Sequence, residues 1–125
     1  MMIYPSKGSY NAWEKLGNPG WNWETLHPYL QKFHTMVEPS DETRQKLSLD
    51  HLVKASQGQT GPLKVSYGDS YPVYTEAWPK TFETLGYKLS GDPISGVSIG
   101  GFVNPGSVDS KTGTRSHAGT AFYSP

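Results

Sequence analysis

Cysteine is absent from this chain of 125 residues. Disulfides, thiolate catalysis and Cys-ligated zinc are thereby excluded. An excess of one charge is also absent, because 11 basic side chains balance 11 acidic ones. Without a basic block there is no electrostatic footprint for nucleic acid or an anionic lipid surface, so neither is expected as a partner. No run approaches the roughly 18 apolar residues of a spanning helix. The apolar start at residues 1–4 is shorter than the apolar region of a secretory leader, about 7–15 residues, and localisation is left open. Hydrophobic residues are scarce at 34%, while Gly and Pro number 14 and 10. Such a chain should have many turns and short elements. Disorder depletes aromatics, and here they make up 13%.

The usual catalytic signatures are missing too. There is no GxGxxG or Walker loop to cradle a phosphate. The four histidines are His27, His34, His51 and His117. His27 and His34 would lie roughly 10 Å apart along a helix, too far to share a metal, for which i, i+4 is the useful spacing. They read as scattered surface or capping residues, and a general base would need a positioned partner. Asp41 and Glu42 read as a surface run. Asp50, Asp69, Glu76, Glu83, Asp92 and Asp109 stand alone, so no glycosidase pair is indicated. Gly96-Val97-Ser98-Ile99-Gly100 has the letters of a nucleophile elbow, without a convincing strand before it or helix after it.

What the chain does have is an aromatic corner at residues 11–29, NAWEKLGNPGWNWETLHPY. Trp13, Trp21 and Trp23 surround the turn Gly17-Asn18-Pro19-Gly20, and each can bury about 150–250 Å². Spacing predicts a helix over 10–16, capped by Ser9 and ended by Gly17. A longer helix is predicted over 25–37, with Pro28 in its first turn and a stripe of Leu26, Tyr29, Leu30, Phe33, Met36 and Val37. Residues 40–55 read as a charged surface excursion carrying Leu47, Leu49, Leu52 and Val53, with a helical turn at 51–55 capped by Asp50. A loop over 57–62 precedes an alternating, half-buried strand over 63–67, closed by Gly68-Asp69-Ser70.

Tyr71-Pro72 opens a helix that Pro79 should kink or split and Gly86 should end. A short strand at 87–89, a weak strand over 97–103, a loop over 104–113 and a helical stretch at 115–123 capped by Ser116 complete the reading. The fold class expected is α+β and loop-rich, with several short helices and a few short strands. The aromatic set Trp13, Trp21, Trp23, Tyr29, Phe33, Trp78 and Phe82 reads as core in preference to a carbohydrate or flavin platform.

The run W-E-x-L-G-N-P-G-W-x-W-E-x-L-x-P-Y over 13–29 resembles the glucose–methanol–choline (GMC) oxidoreductases, which are FAD-dependent. Three more segments follow in the family's order. Residues 57–66 look like H-G-x-x-G-P-L-x-V-S, with Gln57 where His is usual. Residues 82–87 with Asp92 and Gly96 look like a Gly-terminated helix followed by D-x-x-x-G. Gly113, Arg115, Ser116, Ala118, Ala121, Phe122 and Pro125 follow G-x-R-x-S-x-A-x-x-A-Y-L-x-P.

The resemblance covers essentially the whole chain and implies an internal fragment, without the Rossmann-type FAD-binding core. Residues 1–10 would end the FAD-covering segment, and 11–125 would form part of the substrate (cap) region. Met2 and Tyr4 become the candidate cofactor contacts, and no catalytic residue is expected in the chain. The parent would oxidise an alcohol or sugar by hydride transfer to FAD. The chain alone would neither retain FAD nor be catalytic. The alternative is a non-catalytic interaction or carbohydrate-binding module.

Overall fold

Ser6, not Ser9, caps the first helix. In the computed structural model, which describes residues 2–68, 71–88 and 91–123, the Ser6 hydroxyl accepts from the Ser9 N–H at 3.1 Å. Ser6 has the extended backbone a cap needs, so helix α1 spans Lys7–Lys15. Gly17 and Gly20 follow with φ of 95° and 80°, values that favour glycine. The turn is tied back to α1 through Glu14, whose Oε1 accepts from Gly20 N (3.1 Å) and Asn22 Nδ2 (2.6 Å). Asn22 then caps α2, Trp23–Lys32, accepting from Thr25 N at 2.9 Å.

The second helix is shorter than its apolar stripe. It stops at Lys32, and His34–Met36 leaves as strand β1. Its burial alternates, with His34 and Met36 inside and Thr35 between. The competing claim on this backbone comes from the glycine loop. Gly61 N donates to His34 O (3.0 Å), and Met36 N donates to Gly58 O (2.9 Å). These groups are then unavailable to a helical ladder. β1 pairs in parallel with β2, Leu63–Val65, in the register His34–Leu63, Thr35–Lys64 and Met36–Val65.

The connection between these strands corrects the surface reading of residues 40–55. Ser40 caps α3, Asp41–Lys46, and 3-10 turns follow at Leu49–His51 and Lys54–Ser56. Asp50 lies inside the first of these turns and caps no helix over 51–55. Leu47 and Leu49 are only 2% and 0% exposed, the deepest apolar side chains with Val65. Ser48 between them has a left-handed backbone, φ 54°. The core gathers Tyr4, Met36, Leu47, Leu49, Leu63, Val65, Tyr67, Ile94 and Ala121.

Helix α4, Val73–Thr84, runs through Pro79 as one element rather than two, and Gly86 follows it with φ 85°. Tyr87 and Lys88 form no strand; Leu89 and the closing Asp69 and Ser70 lie outside the described residues. The strand expected over 97–103 reduces to a single bridge between Asp92 and Val97. The expected loop over 104–113 instead contributes β3, Val108–Asp109, antiparallel to β4, Thr114–Arg115. Ser66 and Gly106 exchange both backbone hydrogen bonds, which joins β2 to this ribbon. The helical stretch at 115–123 shrinks to a π-turn, Gly119–Tyr123. Ser116 caps nothing there and accepts from Lys64 N at 2.9 Å. The described residues thus form an α+β fold with two two-stranded sheets, and no doubly wound sheet is among them.

Candidate functional site

Three distant parts of the chain meet at His34. Its ring is fully buried. Gly58 N–H donates to Nε2 at 3.0 Å, so Nε2 must carry a lone pair. The single proton of the neutral ring is then on Nδ1, which lies 3.0 Å from Leu30 O and 3.1 Å from the Tyr4 hydroxyl. Burial pushes the His34 pKa down, against the Leu30 carbonyl, which favours the protonated ring. A second proton on Nε2 would face the Gly58 N–H. His34 is therefore a hub and not one of the scattered surface or capping histidines expected. Its two nitrogens are committed, so it offers no general base.

Both glycines of the loop are needed for this closeness. A Cβ on Gly58 would lie 2.6 Å from Gln31 O and 2.8 Å from His34 Cε1, and would also meet His34 O. A Cβ on Gly61 would run into the backbone of Phe33 and His34. The G-x-x-G spacing thus lets the loop press against the end of α2.

Tyr4, one of the two candidate cofactor contacts, sits inside this knot. It is buried, its ring stacks on Phe33 at 6.0 Å, and its hydroxyl is committed to His34. Burial, then the charges of Tyr10 and Asp92, push its pKa above the ordinary phenol range. Met2, the other candidate, is only partly buried. It packs against the core, and its backbone N–H donates to Pro105 O at 2.9 Å.

A second hub went unseen in the sequence. Asp92, expected to stand alone, is 2% exposed. Its Oδ2 accepts from Val53 N (2.9 Å) and Gln57 Nε2 (3.2 Å), and its Oδ1 accepts from Ile94 N (3.2 Å). This carboxylate fastens the segment after α3 to the 3-10 turn Pro93–Ser95. Gly96 ends that turn with φ 86°, and no nucleophile elbow forms around Ser98. Among the described residues no three His, Asp or Glu side chains assemble as a metal-holding group, and no helix is long and apolar enough to cross a membrane.

The aromatic set divides. Trp23 is buried, at 7% exposure, beside Tyr10 and His27. Trp13 and Trp21 stack on each other at 5.5 Å but remain about half exposed. Tyr29 and Trp78 are also exposed, so most of the expected aromatic core faces outward.

Open clefts lie around the core. One of about 700 Å³ is lined by Phe33, Leu63, Val108, Arg115, His117 and Phe122. Another of about 420 Å³ runs between α4 and Phe102. As a cradle for FAD the described residues do not fit. Among the described residues no glycine-rich turn leads from a strand into a helix N-terminus, and Tyr4 is buried. Only the partly exposed edge at Met2 remains for such a group.

No family model matches the chain. It is 34% identical over 123 residues to the glucose oxidase-like protein fsoC of Humicola fuscoatra, a match covering 93% of this chain and 20% of that protein. It is 26% identical over 129 residues to the GMC oxidoreductase family protein Mala s 12 of Malassezia sympodialis, covering 98% and 20%. In structure it is similar to an FAD-dependent oxidoreductase from Chaetomium thermophilum, with a TM-score of 0.89 and 33% identity, covering 98% of this chain and 21% of that one. The chain therefore spans about one fifth of the length of the proteins it matches, and the glucose–methanol–choline oxidoreductases are the family to which it belongs.

Proposed function

We propose that this chain is a scaffold segment of an FAD-dependent oxidoreductase acting on the CH–OH group of a small alcohol or sugar. The observation that carries the proposal is the fit, at TM-score 0.89, of nearly the whole chain to one fifth of an FAD-dependent enzyme. In the whole protein, bound FAD would supply the hydride acceptor. Residues 1–10 would finish the segment that covers the flavin, and 11–125 would begin the substrate region. The chain's own contribution is positional. Tyr4 and His34 anchor the start of the chain to the parallel pair β1–β2, which fixes where Met2 stands. Met2 would then touch the flavin edge or the substrate entrance, with Tyr4 behind it as a support. Tyr4 and His34 are both buried, at 5% and 0% exposure, so the catalytic acid–base groups would lie elsewhere.

The test is expression of the whole reading frame that contains this chain. The purified protein should be yellow, and its flavin should bleach anaerobically on adding a primary alcohol or a sugar. Met2→Asp should slow that bleaching while leaving the Tyr4–His34 pair intact. A colourless protein, or flavin indifferent to every alcohol and sugar tried, would sink the proposal. The isolated chain should release all added FAD on desalting; stoichiometric retention would show that its residues hold the cofactor unaided.

A further inference from the structure

Helix α4 carries more apolar surface than the body of the chain covers. Pro79 is buried, with Thr75 and Phe82 half-buried beside it. These three share one side of the helix. The charged residues Glu76, Lys80 and Glu83 share another, and Glu76 meets Lys46 at 3.4 Å. Tyr74, Trp78 and Leu85 form a third stripe, at i, i+4 and i+11. They are between 63% and 80% exposed. Ala77 and Thr81 lie along the same stripe and bring no charge. A helix on an open surface needs one apolar side and polar residues elsewhere, so the third stripe is in excess.

The stripe continues into the cleft of about 420 Å³ between α4 and Phe102. Its far wall is held in place from behind. The Phe102 ring packs so closely on Gly91 that a Cβ there would lie 2.7 Å from Phe102 Cε1. Gly101 N donates to Lys88 O at 3.1 Å, which ties this wall to the chain that follows α4. No charged side chain lines the cleft.

A centre without charge and rich in Tyr and Trp is the composition of the buried core of a protein–protein interface. Exposed apolar patches of this kind mark places where another surface packs. The relatives supply the length of chain for it. The match covers 20% of the fsoC protein and 21% of the Chaetomium thermophilum enzyme, so about four-fifths of such a parent lies outside these 125 residues.

We propose that the α4 stripe and its cleft are an internal docking face, covered in the whole protein by an aliphatic surface of the polypeptide outside these 125 residues. The proposal rests on the reading of the chain as a segment of a larger flavoenzyme. Trp78 is the central anchor of the face, and Glu76, Lys80 and Glu83 stay at its wet edge.

The test is hydroxyl-radical footprinting of the whole protein, with the peptide over 72–88 read by mass spectrometry. The same peptide made synthetically gives the unprotected rate. Tyr74, Trp78 and Leu85 should react at least about tenfold more slowly in the whole protein. Trp78→Lys should raise the rates at Tyr74 and Leu85 several-fold, whereas Lys80→Ala should leave them unchanged. A yellow protein in which all three side chains react at the peptide rate would overturn the proposal and leave the flavoenzyme reading standing. Protection that disappears on dilution, as a dimer separates, would assign the face to a second copy and overturn it. Protection lost on dialysis would assign it to a small ligand, with the same result. A colourless whole protein would sink the flavoenzyme reading and this proposal with it.

Discussion

The hydroxyl of Tyr4 lies 3.1 Å from Nδ1 of His34 across 30 residues of sequence, inside the core. His34 also receives Gly58 N–H on its other nitrogen, so three segments are held by one neutral ring. A protonated ring would turn the acceptor that Gly58 needs into a second donor.

That conflict sets a pH dependence. The folded pKa of His34 lies below its ordinary 6.5. As pH falls through 6.5, the unfolded chain takes up a proton that folded His34 refuses. Stability contributed by the neutral ring is therefore full above about pH 6.5 and declines as pH drops toward the folded value. His34→Gln retains an acceptor for Gly58 but does not titrate. Urea denaturation at about pH 7 and pH 5 should show the parent chain losing more stability on acidification than this variant. Parallel losses would show that His34 does not control this range.

Glycine substitutions should separate sharply by position. Gly58→Ala and Gly61→Ala place a methyl group into the backbone around His34, and each should cost at least about 2 kcal/mol. Gly8, inside α1, has only Ser6 Oγ near its would-be Cβ, at 3.6 Å. Gly8→Ala should stabilise by about 0.5–1 kcal/mol, because alanine is the better helix former. The same denaturation midpoints measure all three.

This contrast shows where the sequence was readable. Apart from the Asn22 cap, which comes from the structure, the tryptophan corner is legible because its signals are local: Gly17 ends the first helix, and Pro19 and Gly20 make the turn. The switch from α2 to β1 was not, because Met36 fits both a helical stripe and a strand alternation. Only the distant Gly58 and Gly61 decide between them. Their three-residue spacing was the available clue to a close backbone approach. Leu47 and Leu49 were hidden by the charged residues around them and by the left-handed turn at Ser48. The Asp92 hub joins groups up to 39 residues apart and left no local pattern. Among the candidate site residues, Tyr4 was singled out for its place in the order of the chain, but its partner His34 was not.

Asp92 carries the second test of long-range order. Asp92→Ala leaves Val53 N, Gln57 Nε2 and Ile94 N without the acceptor they now share. Buried donors left unpaired cost about 1–3 kcal/mol, and more where the partner was charged. The variant should lose at least about 2 kcal/mol, with amide exchange at Val53 and Ile94 accelerating more than at Leu63. Uniform acceleration across all three amides would mean that Asp92 supports the fold generally and does not fasten these two segments.

The exposed aromatics allow a comparison between the chain alone and the whole protein. Trp13, Trp21 and Trp78 are 54%, 52% and 63% exposed, whereas Trp23 is 7% exposed. Acrylamide should therefore quench most of the tryptophan emission of the 125-residue chain. Trp21→Ala removes one ring of a surface stack and should cost about 0.5–1.5 kcal/mol, while Trp23→Ala should cost about 3–5 kcal/mol. Large rings are seldom left bare in quantity unless something covers them. If the remaining four-fifths of the parent packs on this corner, Trp13 and Trp21 should be protected from acrylamide in the whole protein. Trp21→Ala should then cost clearly more there than in the chain. Equal quenching in both settings would mean that the corner faces solvent in the whole protein, and that Trp13 and Trp21 stabilise it only through each other.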